Sequence, residues 1–205
     1  MKHETRTMLA AATCALLLAS CSSTTRPDAR AGESSPTPSL SYMGQIPPGT
    51  EARAFAPGVV NTTAIELNGV FTPDGREFFF TRHLDGIGTI HHSVLGPEGW
   101  SAPVPLDVYG GSARSLAVDM AVSPDGDSLY FLGQHPHPGA PVDPTTDIWV
   151  SRRVDGKWST AEVVPAPVST AAEELYPVVV ADGSLYFSSD RDNDAGRLAL
   201  WRAQR

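Results

Sequence analysis

Cysteine is nearly absent from this chain: two in 205 residues, at Cys14 and Cys21. Cys14 sits in an apolar run near the start, so a chain processed after that run keeps one thiol and forms no internal disulfide. Such a domain relies on its apolar core. Long hydrophobic stretches are also missing, because the run Met8 to Leu18 is too short to span a bilayer. Positive charge is scarce, with 15 Lys and Arg against 23 Asp and Glu, a formal net charge of −8. No basic cluster offsets it, which argues against nucleic acid as a partner. From Glu51 onward there is no convincing helical period.

What is present at the N-terminus is the layout of a secretory signal. Lys2 and Arg6 precede the apolar run, and small residues follow it. The stretch ends in Leu18-Ala19-Ser20-Cys21, which resembles the bacterial lipobox. That resemblance implies a signal peptide over residues 1–20, diacylation of Cys21 and a membrane contact that is a lipid anchor. Losing residues 1–20 removes Lys2, Arg6 and Glu4, a formal +1, and takes the charge from −8 to −9. Residues 21–50 are rich in Ser, Thr and Pro and read as a flexible tether. The far end, Tyr42 to Gly49, is more apolar and is expected to lie on the domain as an extended strap.

Residues 51–205 read as all-β, with short β-favouring runs punctuated by Gly, Pro and Asp. Three segments share one pattern: Val70-Phe71-Thr72-Pro73-Asp74-Gly75, Ala121-Val122-Ser123-Pro124-Asp125-Gly126 and Val178-Val179-Val180-Ala181-Asp182-Gly183. Their aspartates stand 51 and 57 positions apart (125 − 74 and 182 − 125). Pro sets φ, Asp bonds the local backbone and Gly accepts positive φ, so each copy predicts a hairpin turn. A strand dense in aromatic and aliphatic residues follows each, at 77–81, 128–132 and 184–188. Third strands are expected at 90–93, 147–151 and 198–202, and fourth strands at 99–103 and 156–161. Four strands per repeat make one propeller blade, with repeats at about 62–106, 113–168 and 171–205.

These residues resemble the TolB-type, WD-like β-propeller repeat over roughly residues 55–205. The resemblance implies blades of four antiparallel strands and an interaction platform in the periplasm. Ser22 after the lipidated cysteine is not the Asp that favours inner-membrane retention, so the periplasmic face of the outer membrane is expected if the cell is Gram-negative. About three blades are fewer than the four to eight that close a ring. Three readings stay open: a truncated, non-functional fragment, an open arc with a protected edge, or a ring completed by a homodimer. Phe55 to Val60 has the character of a closing strand, although in such an arc it could not reach the third blade.

Aligned on Asp-Gly, the position eight before each Asp holds Glu66, Ala117 or Glu174, and the position six before holds Asn68, Asp119 or Tyr176. Propeller ligands bind near the start of the innermost strands, which makes Glu66, Asn68, Asp119, Glu174 and Tyr176 the ligand-binding candidates; the bland reading is a solvated channel rim. Asp190, Asp192 and Asp194 alternate as in a calcium loop, but Gly196 falls one place late and Trp201 stands where a bidentate Glu is expected. His91, His92, His135 and His137 are weighed as metal ligands and read as structural. Gly110-Gly111-Ser112-Ala113-Arg114 misses the nucleophile elbow by its last residue. No cofactor and no catalytic motif is evident. The expected function is binding of a protein, peptide or glycan without catalysis. The alternative is a glycosidase-like envelope hydrolase using Glu66, Asp119 and Glu174, which requires paired carboxyls across a cleft.

Overall fold

Turn chemistry sets the strand order. In the computed structural model, which describes residues 42–47, 49–111, 115–138, 145–192 and 196–204, each Asp-Gly turn joins the first two strands of a sheet. Asp74 Oδ1 accepts the Thr72 hydroxyl at 2.6 Å and the Arg76 N–H at 3.0 Å. Asp125 repeats this with Ser123 and the Asp127 N–H, and Asp182 with the Ser184 N–H. The expected side-chain-to-backbone bond is therefore made in all three copies. Hydrogen bonding around these turns holds the Asp74 carboxyl below the ordinary carboxylate range, the Thr72 hydroxyl first.

Blade 1 contains β1 (Ile65–Phe71), β2 (Glu77–Leu84), β3 (Ile87–Gly96), β4 (Gly99–Trp100) and β5 (Val104–Pro105). Blade 2 contains β6 (Leu116–Val122), β7 (Ser128–Gln134), β8 (Asp147–Val154), β9 (Lys157–Trp158) and β10 (Glu162–Val163). Blade 3 contains β11 (Glu174–Val179), β12 (Leu185–Ser189) and β13 (Ala199–Ala203). All pairings are antiparallel between neighbours. The fourth place is filled by β5 on β3 and by β10 on β8. Expected and observed strands agree in order; the third strands run past the expected bounds at β3 and β8 and one residue later at β13, and the fourth place is taken by 104–105 and 162–163, just beyond the expected 99–103 and 156–161, where only the short β4 and β9 form.

Period-two alternation decides which face meets which blade. In Phe78-Phe79-Phe80 the central ring joins Ile90 against Leu129, Phe131 and Trp149 of blade 2. In blade 2, Tyr130, Ile148 and Val150 turn the other way and pack on Leu185 and Phe187 of blade 3. Rings buried in this way contribute about 1.5–3 kcal/mol each. Glu77 adds a polar tie between blades 1 and 2, accepting Arg153 and the Trp158 Nε1–H at 2.8 Å each.

The remaining face of blade 1 is covered by a strap longer than the expected Tyr42 to Gly49: of that stretch Met43 packs on Phe71, Phe78, Phe80 and Trp100, and Phe55, Ala56 and Val60 of the chain that follows complete the cover. The 55–60 segment is not a closing strand: its single bridge is Pro57 to Asn61, and it bears on blade 1. The tether and Cys21 lie outside the described residues.

Candidate functional site

Each innermost strand carries one β-bulge at the same place. The register slips between Leu67 and Val70, between Val118 and Ala121, and between Leu175 and Val178. Two residues therefore oppose one aromatic of the second strand, Phe80, Phe131 or Phe187. The first residue of each pair is Asn68, Asp119 or Tyr176, with φ of 47°, 51° and 54°. Asn and Asp tolerate this left-handed backbone, whereas a bulky Tyr rarely adopts it and is strained there. The position six before each Asp is thus a bulge, a role its polarity alone did not reveal.

The three bulges meet in one open pocket of about 400 Å³ whose walls include Asn68, Asp119, Met120, Tyr176 and Pro177. Asn68 Oδ1 accepts the Met120 N–H at 3.0 Å and ties the first bulge to the second. Burial pushes the Asp119 carboxyl up, with His83 partly opposing it. Tyr176 is 57% exposed. A carboxyl, an amide and a phenol-bearing ring around a shallow pocket suit hydrogen bonding and stacking with a ligand.

Glu66 and Glu174, the other two candidates, are not in that pocket. Glu66 accepts the Thr62 hydroxyl at 2.6 Å and pairs with Arg82 at 3.2 Å. Burial works against its charge, but Thr62 and then Arg82 outweigh it and hold the carboxyl below its ordinary value. Glu174 is fully buried and takes Thr170, Ser189 and Arg191, the last at 2.9 Å. Arg82 also donates to the carbonyls of Val59 and Val60, and Arg191 to those of Pro167 and Val168. Both glutamates therefore fasten the loop before the blade to its inner strand. The sequence signal was available: a Thr stands four residues before each Glu, at Thr62 and Thr170.

Blade 2 has Ala117 at that position and uses aromatics instead. Tyr109 donates to Leu116 O at 2.8 Å, stacks on His135 at 4.2 Å, and stands with Trp149 where a Gly133 Cβ would be. His135 Nδ1 lies 2.8 Å from Ser115 Oγ, and His137 Nε2 lies 3.1 Å from Asp147 Oδ2. Burial raises the Asp147 carboxyl against the opposing effect of His137. His91 and His92 point to opposite faces, beside Phe80 and Phe79, and burial lowers both imidazoles.

Among the described residues no cluster of three or more His, Cys, Asp or Glu is arranged to hold a metal ion. In the calcium-like loop, Asp190 accepts the Glu173 N–H at 3.0 Å and Asp192 has φ 58°; Asp194 lies outside the described residues. Ser112 of the near-elbow lies outside them too.

No protein-family model matches the chain, and no curated protein matches it. Among solved structures, it is similar to TolB from Acinetobacter baumannii, at 16% identity and TM-score 0.46 over 71% of this chain and 31% of that one. It is also similar to a protein described as TolB from Agrobacterium tumefaciens, at 19% identity and TM-score 0.48 over 70% of this chain and 46% of that one. The chain therefore spans less than half the length of either, and TolB proteins are among its structural neighbours.

Proposed function

We propose that this chain is a lipid-anchored cell-envelope module that binds a protein, peptide or glycan segment at the pocket formed by its three bulges. The observation that carries the reading is the convergence of Asn68, Asp119 and Tyr176 on one pocket, each at the same left-handed bulge position in its blade. A bulky exposed residue kept at φ 54° is the kind of strain that clusters at ligand-binding sites. A glycosidase-like reaction needs a second carboxyl across the cleft. Glu66 and Glu174 are each committed to an arginine, so binding is the better reading.

The test is a peptide and glycan array probed with the wild-type chain and with the variants Tyr176→Ala and Asp119→Ala. A ligand retained by the wild type and weakened about tenfold or more by either change supports the site. A ligand indifferent to both, or an empty array, counts against it.

Anchoring rests on Leu18-Ala19-Ser20-Cys21 and the signal-like run before it. In a bacterial host, labelled palmitate should enter the wild-type chain and not the Cys21→Ser variant, which should leave the membrane fraction. In this reading a second copy does not close a ring, because it would have to lift the strap from Phe78 and Phe80.

A further inference from the structure

Among the described residues, carboxyl groups drawn out of water are met by donors, with one exception. Glu66 pairs with Arg82, Glu77 with Arg153, Asp147 with His137 and Glu174 with Arg191. Glu173 accepts the Thr146 N–H at 3.1 Å, and Asp190 accepts the Glu173 N–H at 3.0 Å. Asp119 is the exception: it is half-buried, and its carboxyl has neither a hydrogen bond nor an ion pair. His83 is the basic group that acts on it, through space and without pairing. Removing a carboxylate from water without a partner is costly, so its presence here points to a partner outside the fold.

The exception stands in the bulge pocket, where the chain is fixed before any ligand arrives. Asp119 has φ 51°, and the N–H of the next residue, Met120, is held by Asn68 Oδ1 at 3.0 Å. The backbone that carries the carboxyl is thus held in place from blade 1. Asn68 spends its oxygen on this bond and keeps an exposed Nδ2 without a partner among the described residues. Val122, Pro177 and Val178 supply apolar wall, and Tyr176 adds an aromatic ring. Within about 400 Å³ the pocket therefore offers one unpaired acid, one spare amide donor, aliphatic surface and a π-face.

We infer that the bulge pocket receives a basic side chain, lysine or arginine, from a polypeptide ligand. The cation pairs with Asp119, and the aliphatic stem of the side chain lies along Val122, Pro177 and Val178. The ring of Tyr176 favours a positive charge beside it. Asn68 Nδ2 donates to a backbone carbonyl of the same segment, which sets the direction of the ligand. This inference rests on the bulge pocket being a binding site and narrows its ligand, because neutral and acidic glycans bring no cation to Asp119. A bare calcium ion is a poor fit: it takes about six to eight oxygens, and the amide oxygen of Asn68 is already spent on Met120. The formal charge of −8 attracts basic segments to the whole chain, so the test has to separate this pocket from that background.

The probe is a set of labelled peptide pools, Ala-x-x-Arg-x-x-Ala with x a mixture of uncharged residues, and matched pools with Lys, norleucine or Glu at the centre. Each is titrated into the full-length chain and followed by fluorescence polarisation. Asp119→Asn is the site variant: it removes the charge at nearly constant shape, and Asn already fills the equivalent bulge of blade 1 at Asn68. Glu98→Gln removes an exposed charge elsewhere and controls for general attraction. The Arg or Lys pool is expected to bind about tenfold or more tighter than the norleucine pool in the wild type and in Glu98→Gln, and the gap should close in Asp119→Asn. A gap that persists in Asp119→Asn overturns the inference, since charge elsewhere then carries it. Equal binding of the basic and norleucine pools, lost in Tyr176→Ala, also overturns it while leaving the pocket as a binding site. So does failure of every pool up to millimolar concentration; a glycan weakened by Tyr176→Ala would then keep the binding site and remove its basic ligand.

Discussion

Asn68 Oδ1 accepts the Met120 backbone N–H at 3.0 Å, so the bulge of blade 1 holds the bulge of blade 2 in place. Asn68→Ala removes the acceptor and puts a Cβ residue without local hydrogen bonding at φ 47°. A loss of about 2 kcal/mol in urea unfolding is expected, in the range for a severed bond to a buried backbone donor. Asn68→Asp keeps an acceptor and should lose less.

Tyr176 occupies the same bulge position in blade 3 with a side chain poorly suited to it. Tyr176→Asn installs a residue that tolerates the left-handed region and should raise stability by about 1 kcal/mol. The same change should weaken ligand binding at the bulge pocket. Opposite signs in unfolding and binding assays would separate a functional role for the ring from a packing one.

Glu174 is wholly enclosed with four protein donors, while Glu66 keeps a slight opening to solvent and has fewer partners. Glu174→Ala strands the Arg191 guanidinium and should cost about 3–5 kcal/mol, the range for breaking a buried pair. Glu66→Ala should cost less. Thermal unfolding of the two variants side by side gives the order.

Asp119 supplies a pH signature. Burial raises its carboxyl above the ordinary 3.8, so between that value and the folded value the native state binds more protons than the unfolded one. Stability contributed by this group therefore falls as pH rises through the window and is unaffected below it. Asp119→Asn removes the penalty. The variant should unfold at higher urea than wild type at neutral pH, with the gap closing below about pH 4.

The Asp-Gly turns and aromatic strands were legible in the sequence because turn chemistry and β-propensity act over a few residues. Aligning on Asp-Gly also placed Asn68, Asp119 and Tyr176 at equivalent positions, while their bulge geometry was hidden because a register slip involves the partner strand. Glu66 and Glu174 looked like rim ligands for a related reason. Arg82 and Arg191, which neutralise them, come from the second strand or just beyond it, and spacing alone does not announce the pair. The strap's contact with blade 1 had no period to betray it, since Met43, Phe55 and Val60 reach the sheet from turns and irregular chain.

The strap precedes the blade it covers, and that order matters while the chain is being made. Met43 to Val60 emerges before Phe71, Phe78 and Phe80, so the cover for those rings is already available when the first sheet forms. Blade 2 then arrives on the opposite face, and each later blade adds to a surface whose far side is already shielded. Sticky intermediates, the usual hazard of slowly assembled β-structure, are confined to the growing end.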